Sequence, residues 1–260
     1  MAYYDLILVA LAGLTIGSFL NVLIYRLPIN KQFTKGRSAC PDCGQTIKWY
    51  HNIPLVSYVA LRGRCAYCGK RIPIRYPVVE LLNTLGYLFF FYSYGWSVAL
   101  GSYAFLTSAL IVIFFIDVDH QIIPDKITLP GIVLGLLVAL LPGGLNILQA
   151  AIGMAVGGLS LYLIALLGDW LFKKESMGGG DIKMAAMLGA FLGWQKVLLT
   201  FLGSAVIGLV ISVILMGFSA RLRKNRVVPF GPFIALAAVI AIIWGDSLIS
   251  YYVHHWLLPG

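Results

Sequence analysis

The sequence predicts an all-α polytopic membrane protein of about eight transmembrane or membrane-embedded helices, with a small cytoplasmic zinc-binding loop domain. Three observations predict this class. Mean hydropathy is +0.90, and 60% of the residues are hydrophobic against 11% charged, where soluble domains carry about 25% charged. Apolar runs near bilayer-crossing length recur from end to end. The one long polar interruption, residues 27–76, holds all four cysteines. The core is therefore expected to be a set of spanning helices rather than one buried globule.

Residues 5–26 form the first span. No basic stretch precedes it and no small-residue cleavage site precedes Arg26, so it is predicted to be a resident helix and not a cleaved signal. Residues 27–76 are polar, basic and punctuated by Pro and Gly, and form the one extramembrane domain. From Pro77 the apolar runs resume at 77–95, 97–116, 126–141, 147–168, 182–193, 196–217 and 230–253. The fourth and sixth spans are short for a hydrocarbon layer of about 30 Å. Each starts at an acidic motif, which suits helices facing protein or a water-filled cleft. The organisation predicted is a first helix (1–26), a four-cysteine domain (27–76) and a helical membrane domain (77–260).

Net charge is +9, but in a membrane protein Lys and Arg report orientation before they report partners, and no nucleic acid is expected. With the first loop cytoplasmic, eighteen of the nineteen Lys and Arg fall on one side. They include Arg26, nine in residues 31–75, Lys126, Lys173, Lys174, Lys183 and the cluster Arg221, Arg223, Lys224, Arg226. Only Lys196 falls outside. This places both termini outside and both acidic motifs at the cytoplasmic face. The pair His254-His255 near the C-terminus reads as interfacial side chains.

Cys40-Pro41-Asp42-Cys43-Gly44 and Cys65-Ala66-Tyr67-Cys68-Gly69 repeat one pattern. Two Cys-x-x-Cys hooks at this separation read as a tetrahedral zinc site of four thiolates, Cys40, Cys43, Cys65 and Cys68. The Gly after each hook suits a tight turn. Disulfides are the competing reading, and a reducing cytoplasm disfavours them. Four thiolates leave no open coordination position, so one metal ion per chain should fold the loop rather than catalyse.

The chemistry is expected in two stretches. One is Asp117-Val118-Asp119-His120-Gln121-Ile122-Ile123-Pro124-Asp125, which follows the apolar run Leu110 to Ile116. The other is Met177-Gly178-Gly179-Gly180-Asp181-Ile182-Lys183. A carboxylate at a membrane boundary is costly and points to function. Paired carboxylates that flank a water hydrolyse a peptide bond when one is protonated and the other ionised, and like charges side by side share one proton for this reason. Asp117 and Asp181 are the predicted catalytic pair. Gly178, Gly179 and Gly180 are predicted to support the site by adopting positive φ and admitting an extended substrate strand. Asp125 reads first as the N-cap of the fourth span and second as a supporting residue. Asp119 and His120 lie in a solvated turn, and Asp169 and Glu175 on a solvated face. Glu80, inside the second span, either pairs with a basic residue of the loop or belongs to a second site.

Taken together, these motifs resemble the bacterial type IV prepilin peptidases, bifunctional leader peptidase/N-methyltransferases with the Gly-x-Gly-Asp signature of intramembrane aspartyl proteases. The resemblance runs through Gly17-Ser18-Phe19-Leu20-Asn21-Val22, Tyr25-Arg26-Leu27-Pro28, the Cys hooks, Tyr76-Pro77-Val78-Val79-Glu80, both acidic stretches and Pro229-Phe230-Gly231-Pro232-Phe233. It implies catalysis by Asp117 and Asp181 on prepilin or pseudopilin precursors, whose short basic leader is cut after a glycine at the cytoplasmic face of the inner membrane. Asp119, Asp125 or Asp42 are candidates to hold that leader. The resemblance also implies N-methylation of the new N-terminus from S-adenosylmethionine, an activity associated with the Cys loop. No Gly-rich βα nucleotide-binding fingerprint is present, and Glu80 is the one candidate toward that cofactor. Two other classes compete. A transporter would spread its acids through the bilayer midplane. A membrane-tethered zinc-ribbon binding module would leave the Gly-Gly-Gly-Asp stretch without a role.

Overall fold

The computed structural model describes residues 3–32, 36–174, 177–218 and 229–257. Glu175 and the basic cluster at 221–226 lie outside them. Among the described residues the elements are helical: α1 (Tyr3–Arg26), a short 3-10 turn (Trp49–His51), α2 (Val56–Ala60), α3 (Arg75–Tyr94), α4 (Val98–His120), α5 (Asp125–Val138), α6 (Ile147–Phe172), α7 (Gly179–Phe218) and α8 (Gly231–Tyr252). The all-α expectation holds. Gly193, at φ 78° and ψ 171°, breaks α7 into two legs. With those legs counted separately, eight helices of 14 residues or more stand among the described residues, about as many as the apolar runs predict.

Five helices, α1, α4, α6, α7 and α8, are long and apolar enough to cross a bilayer, and the chain is a multi-pass membrane protein. Their outward faces are apolar, as at Leu163, Leu166 and Trp170 of α6, which suits lipid as the solvent. The 14 residues of α5 reach only about 21 Å at about 1.5 Å per residue. This short fourth helix and the first leg of α7 are the two elements expected to be short.

Two compact units divide the chain at Val112/Ile113, inside the continuous helix α4. In the first unit α1 lies close against α3. A Cβ at Gly13 would stand 2.8 Å from Thr84 Cα, and one at Gly17 2.8 Å from Glu80 Cα. This small-x-x-x-small stripe lets two backbones approach where lipid gives no hydrophobic drive between helices. The close approach brings polar groups together. Fully buried Asn83 donates to Gly13 O at 2.9 Å and accepts from Ser108 at 2.8 Å, and Ser108 meets Tyr87 OH at 3.0 Å.

In the second unit α6 crosses α7 backbone to backbone. Gly153 faces Gly189, and Gly157 faces Ala185, with no room for a side chain at either glycine. Gly153→Leu is expected to destabilise the protein by upward of about 3 kcal/mol, because the obstacle is main chain and cannot repack. Loss of the monodisperse detergent-solubilised species checks this. Lys196, the one basic residue that the charge pattern sets apart, pairs with Asp246 of α8 at 2.8 Å.

Candidate active site and metal centre

Asp117 sits in the last turn of α4. That helix stops at Gln121, whose φ of 55° takes the backbone left-handed while its N–H still bonds Asp117 O at 2.9 Å. Pro124, in an extended conformation, then opens α5. The Asp117 side chain is only 5% exposed. Its Oδ2 accepts the N–H of Gly231 at 3.0 Å. Gly231 is the first residue of α8, so the carboxylate satisfies one orphan donor and faces the positive end of that helix. A Cβ on residue 231 would fall 2.6 Å from that same oxygen.

Asp181 lies in the first turn of α7, with its N–H bonded to Gly178 O at 3.1 Å. The structure brings the two predicted aspartates together in one unit, within electrostatic range of each other. Ile123, inside the first acidic motif, packs against both Gly180 of the second and Gly231 of α8. A Cβ at Gly180 would stand 2.8 Å from Ile123 Cβ, and one at Gly231 3.2 Å from its Cδ1. Asp181 Oδ1 is buried with no hydrogen-bond partner among the described residues. A buried acceptor beside a second carboxylate is where a shared proton or the O–H of a water belongs, and such atoms are rare without a role.

Two local expectations are corrected. Gly178, Gly179 and Gly180 do not take positive φ. Glycine is needed at 180 because Ile123 packs onto its α-carbon, and at 178 the Asp181 Oδ2 lies 3.4 Å from where a Cβ would stand. Nor is Asp125 the N-cap of the fourth membrane helix. Pro124 holds that position, and Asp125 is in the first turn. Its carboxylate instead receives Lys183 Nζ through both oxygens, at 2.8 and 2.7 Å. That pair joins the two acidic motifs on their exposed side. Both side chains are well exposed, so the ion pair contributes no more than about 1 kcal/mol. Asp125→Asn is expected to lower cleavage only several-fold with little change in melting temperature; a complete loss in folded protein would move Asp125 into the reacting centre. Asp119 and His120 are exposed, as expected.

The four cysteines form a cluster that could hold a metal ion. Their sulfurs all lie within 4.8 Å of one another, with Cys40 Sγ 3.9 Å from Cys68 Sγ. Four thiolates around a zinc at about 2.3 Å would stand roughly 3.8 Å apart, so the donor set fits. Gly44 and Gly69 take φ of 70° and 71°, as the hooks require. Each donates its N–H back to the carbonyl of the first cysteine of its hook. The Cys65 thiol is pulled down to about 7 by the backbone N–H of Cys68 and then that of Tyr67, while its neighbour Cys68 is pushed up to about 11 despite an N–H bond from Lys70, as expected of crowded sulfurs that share protons without a metal. Asp42 is taken up by Lys70 at 2.6 Å across the two hooks.

Glu80 is 7% exposed. Its Oε2 accepts the N–H of Leu55 at 2.8 Å, and the Ser18 hydroxyl also donates to it. Leu55 is held at φ 59°, ψ −49°, in a three-residue turn closed by Val56 N–H to Pro54 O at 2.6 Å. Such a turn around a bulky residue stores roughly 1–3 kcal/mol.

Residues 11–94 match the model of the Bacterial Peptidase A24 N-terminal domain, and residues 104–213 that of the Type IV leader peptidase family. Relatives that the chain resembles over most of its length are named prepilin leader peptidase/N-methyltransferase, among them those of three bacteria. That of Pseudomonas putida is 39% identical over 95% of this chain and 93% of its own. That of Stutzerimonas stutzeri is 38% identical over 92% and 91%, and that of Neisseria gonorrhoeae 37% over 96% and 94%. No solved structure matches the chain.

Proposed function

This chain belongs to the prepilin leader peptidase/N-methyltransferase family, and from that premise we propose that it is an integral membrane aspartyl endopeptidase of type IV prepilin or pseudopilin precursors that also N-methylates the new N-terminus. The observation that carries the proteolytic half is that Asp117 and Asp181, from helices separated in sequence, lie in one compact unit within reach of each other's charge, Asp117 anchored by Gly231 N–H and Asp181 with a buried oxygen unpaired among the described residues. One carboxyl, ionised, takes a proton from water. The other, protonated, polarises the carbonyl of the scissile bond and then gives its proton to the leaving amine. The Lys183–Asp125 pair braces the two motifs beside this centre.

The substrate is a chain with a short basic leader, a glycine at the cut and an apolar helix in the bilayer, which enters from the lipid. The enzyme lies in the bacterial inner membrane with its N-terminus outside and the aspartates and Cys segment at the cytoplasmic face; the distribution of Lys and Arg supports this orientation. Residues 77–260 carry the proteolytic helices, and residues 27–76 the loop linked to methylation. Zinc is the metal at Cys40, Cys43, Cys65 and Cys68, and it is structural. S-adenosylmethionine supplies an electrophilic methyl group to the amine released by cleavage.

Purified protein mixed with a pilin precursor and S-adenosylmethionine should yield the shortened chain, heavier by one methyl on its first residue. Intact-mass spectrometry reads both changes at once. An uncut precursor in the presence of folded, metal-loaded protein would overturn the assignment.

A further inference from the structure

In the second unit, two buried side-chain oxygens lack a hydrogen-bond partner among the described residues: Asp181 Oδ1 and Thr128 Oγ1. The first belongs to the aspartate pair. The second belongs to a residue of α5 that is 0% exposed. A hydroxyl taken from water without a partner costs stability, so such a group calls for a reason.

A threonine in a helix has an easy partner, the carbonyl one turn back. Thr15, Thr84, Thr107 and Thr200, the other threonines of the described helices, all take it. They donate to the carbonyls of Leu11, Glu80, Tyr103 and Lys196 at 2.7–2.8 Å. Thr128 does not. The carbonyl one turn behind it, Pro124 O, already receives the N–H of Ile127 at 3.0 Å and that of Thr128 at 3.3 Å. The Thr128 hydroxyl is left for a partner outside α5.

The packing of α5 gives the direction. Its buried residues Thr128, Gly131 and Gly135 are spaced to form one face. At Gly135 that face meets α7, where a Cβ would stand 2.9 Å from Ala190 Cβ. Toward the start of α5, Ile123 packs on Gly180 and Asp125 holds Lys183. The two helices therefore run side by side in the same direction away from the acidic motifs. Thr128 lies between these contacts, level with the first turns of α7, which hold Asp181. Helical side chains tilt toward the N-terminus, so the hydroxyl leans back toward that carboxyl.

We infer that Thr128 is a positioning residue for Asp181: its hydroxyl and Asp181 Oδ1 hold one water between them, and that water fixes the rotation of the carboxyl. The inference rests on the proteolytic reading above. Buried waters are held by polar groups that the chain itself leaves unsatisfied. A hydroxyl can donate or accept, so Thr128 serves Asp181 whether the carboxyl is ionised or protonated, without gaining or losing a proton itself.

Thr128→Val keeps the shape of the side chain and removes the hydroxyl. In cleavage of a pilin precursor by the full chain in detergent, kcat should fall about ten- to a hundredfold, the scale of a misplaced reacting group, with KM nearly unchanged. The melting temperature should stay within a few degrees of the wild type, because no described group of the fold bonds that hydroxyl. Thr128→Ser, which restores the hydroxyl, should recover most of the rate. Wild-type kcat in Thr128→Val, or a change in KM alone, overturns the assignment. A Thr128→Val protein that melts far lower or fails to fold also overturns it, since the hydroxyl would then be structural. So does a folded Thr128→Ser as slow as Thr128→Val, since the methyl group would then be what matters. If the wild-type protein leaves the precursor uncut, the proteolytic reading falls and this one with it; if wild type and Thr128→Val cut equally well, only this one falls.

Discussion

Asp117→Asn and Asp181→Asn should each abolish precursor cleavage, lowering the initial rate by at least about 10²–10⁴-fold, the usual contribution of a positioned acid or base. The substitution removes the proton chemistry and little else. An amide oxygen at 117 still accepts the Gly231 N–H that the carboxylate accepts at 3.0 Å, so the junction between α4 and α8 survives. At 181 the amide occupies the volume of the carboxyl whose Oδ1 now lacks a partner. Each variant is therefore expected to melt within a few degrees of the wild type. Neither single variant should retain useful activity, because one ionised and one protonated carboxyl are both needed. Near-full cleavage by either one, at matched amounts of folded protein, would mean that the water is activated elsewhere.

The sequence carried the parts of this site that leave a compositional trace. Asp117 at the end of a long apolar run and Asp181 after a glycine run stand out because carboxylates are rare in such surroundings, and four cysteines in two repeated hooks are hard to arrange by chance. What it did not carry are contacts made by the main chain. Gly231 binds Asp117 through its N–H; Pro229-Phe230-Gly231-Pro232-Phe233 stands out as a motif, but nothing in it announces that contact. The glycines before Asp181 read as conformational freedom, whereas Gly180 is needed to seat Ile123, a partner about 57 residues away that no local pattern announces. Asp125 looked like a helix cap because it follows proline and precedes an apolar run; the winning interaction is with Lys183, in a different motif. The Asn83–Ser108–Tyr87 network and the unpartnered hydroxyl of Thr128 were invisible for the same reason, being properties of three-dimensional neighbours. Span lengths were legible because hydropathy sets them, but one pair of spans turned out to be two legs of a single run joined at Gly193, a break that hydropathy alone does not distinguish from a loop.

Loss of the metal should have the second large effect, and a selective one. The segment from residue 36 to 74 contains a 3-10 turn, the five-residue α2 and two isolated bridges, Ala39 with Thr46 and Arg64 with Arg71. Each of those bridges stays within one cysteine hook, so what joins one hook to the other is the Lys70–Asp42 pair and the four-sulfur cluster that a metal would close. A structural zinc of this kind contributes about 10–16 kcal/mol of apparent binding energy at neutral pH, far more than two bridges and an exposed Lys70–Asp42 pair supply. Cys65→Ser, or dialysis against a strong chelator, is therefore expected to release close to one zinc per chain and to remove methyl transfer. Cleavage should fall much less, since Asp117 and Asp181 both lie in the other compact unit. Acid should act in the same direction. A metal-bound thiolate is released by protonation, so metal retention weakens as pH falls from neutral into the acid range and not on alkalinisation. Elemental analysis of the folded, reduced protein across that range reads the effect directly. A folded sample without zinc would show that the hooks are closed by some other means, and equal loss of cleavage and methylation would show that the cysteine segment supports the aspartates as well.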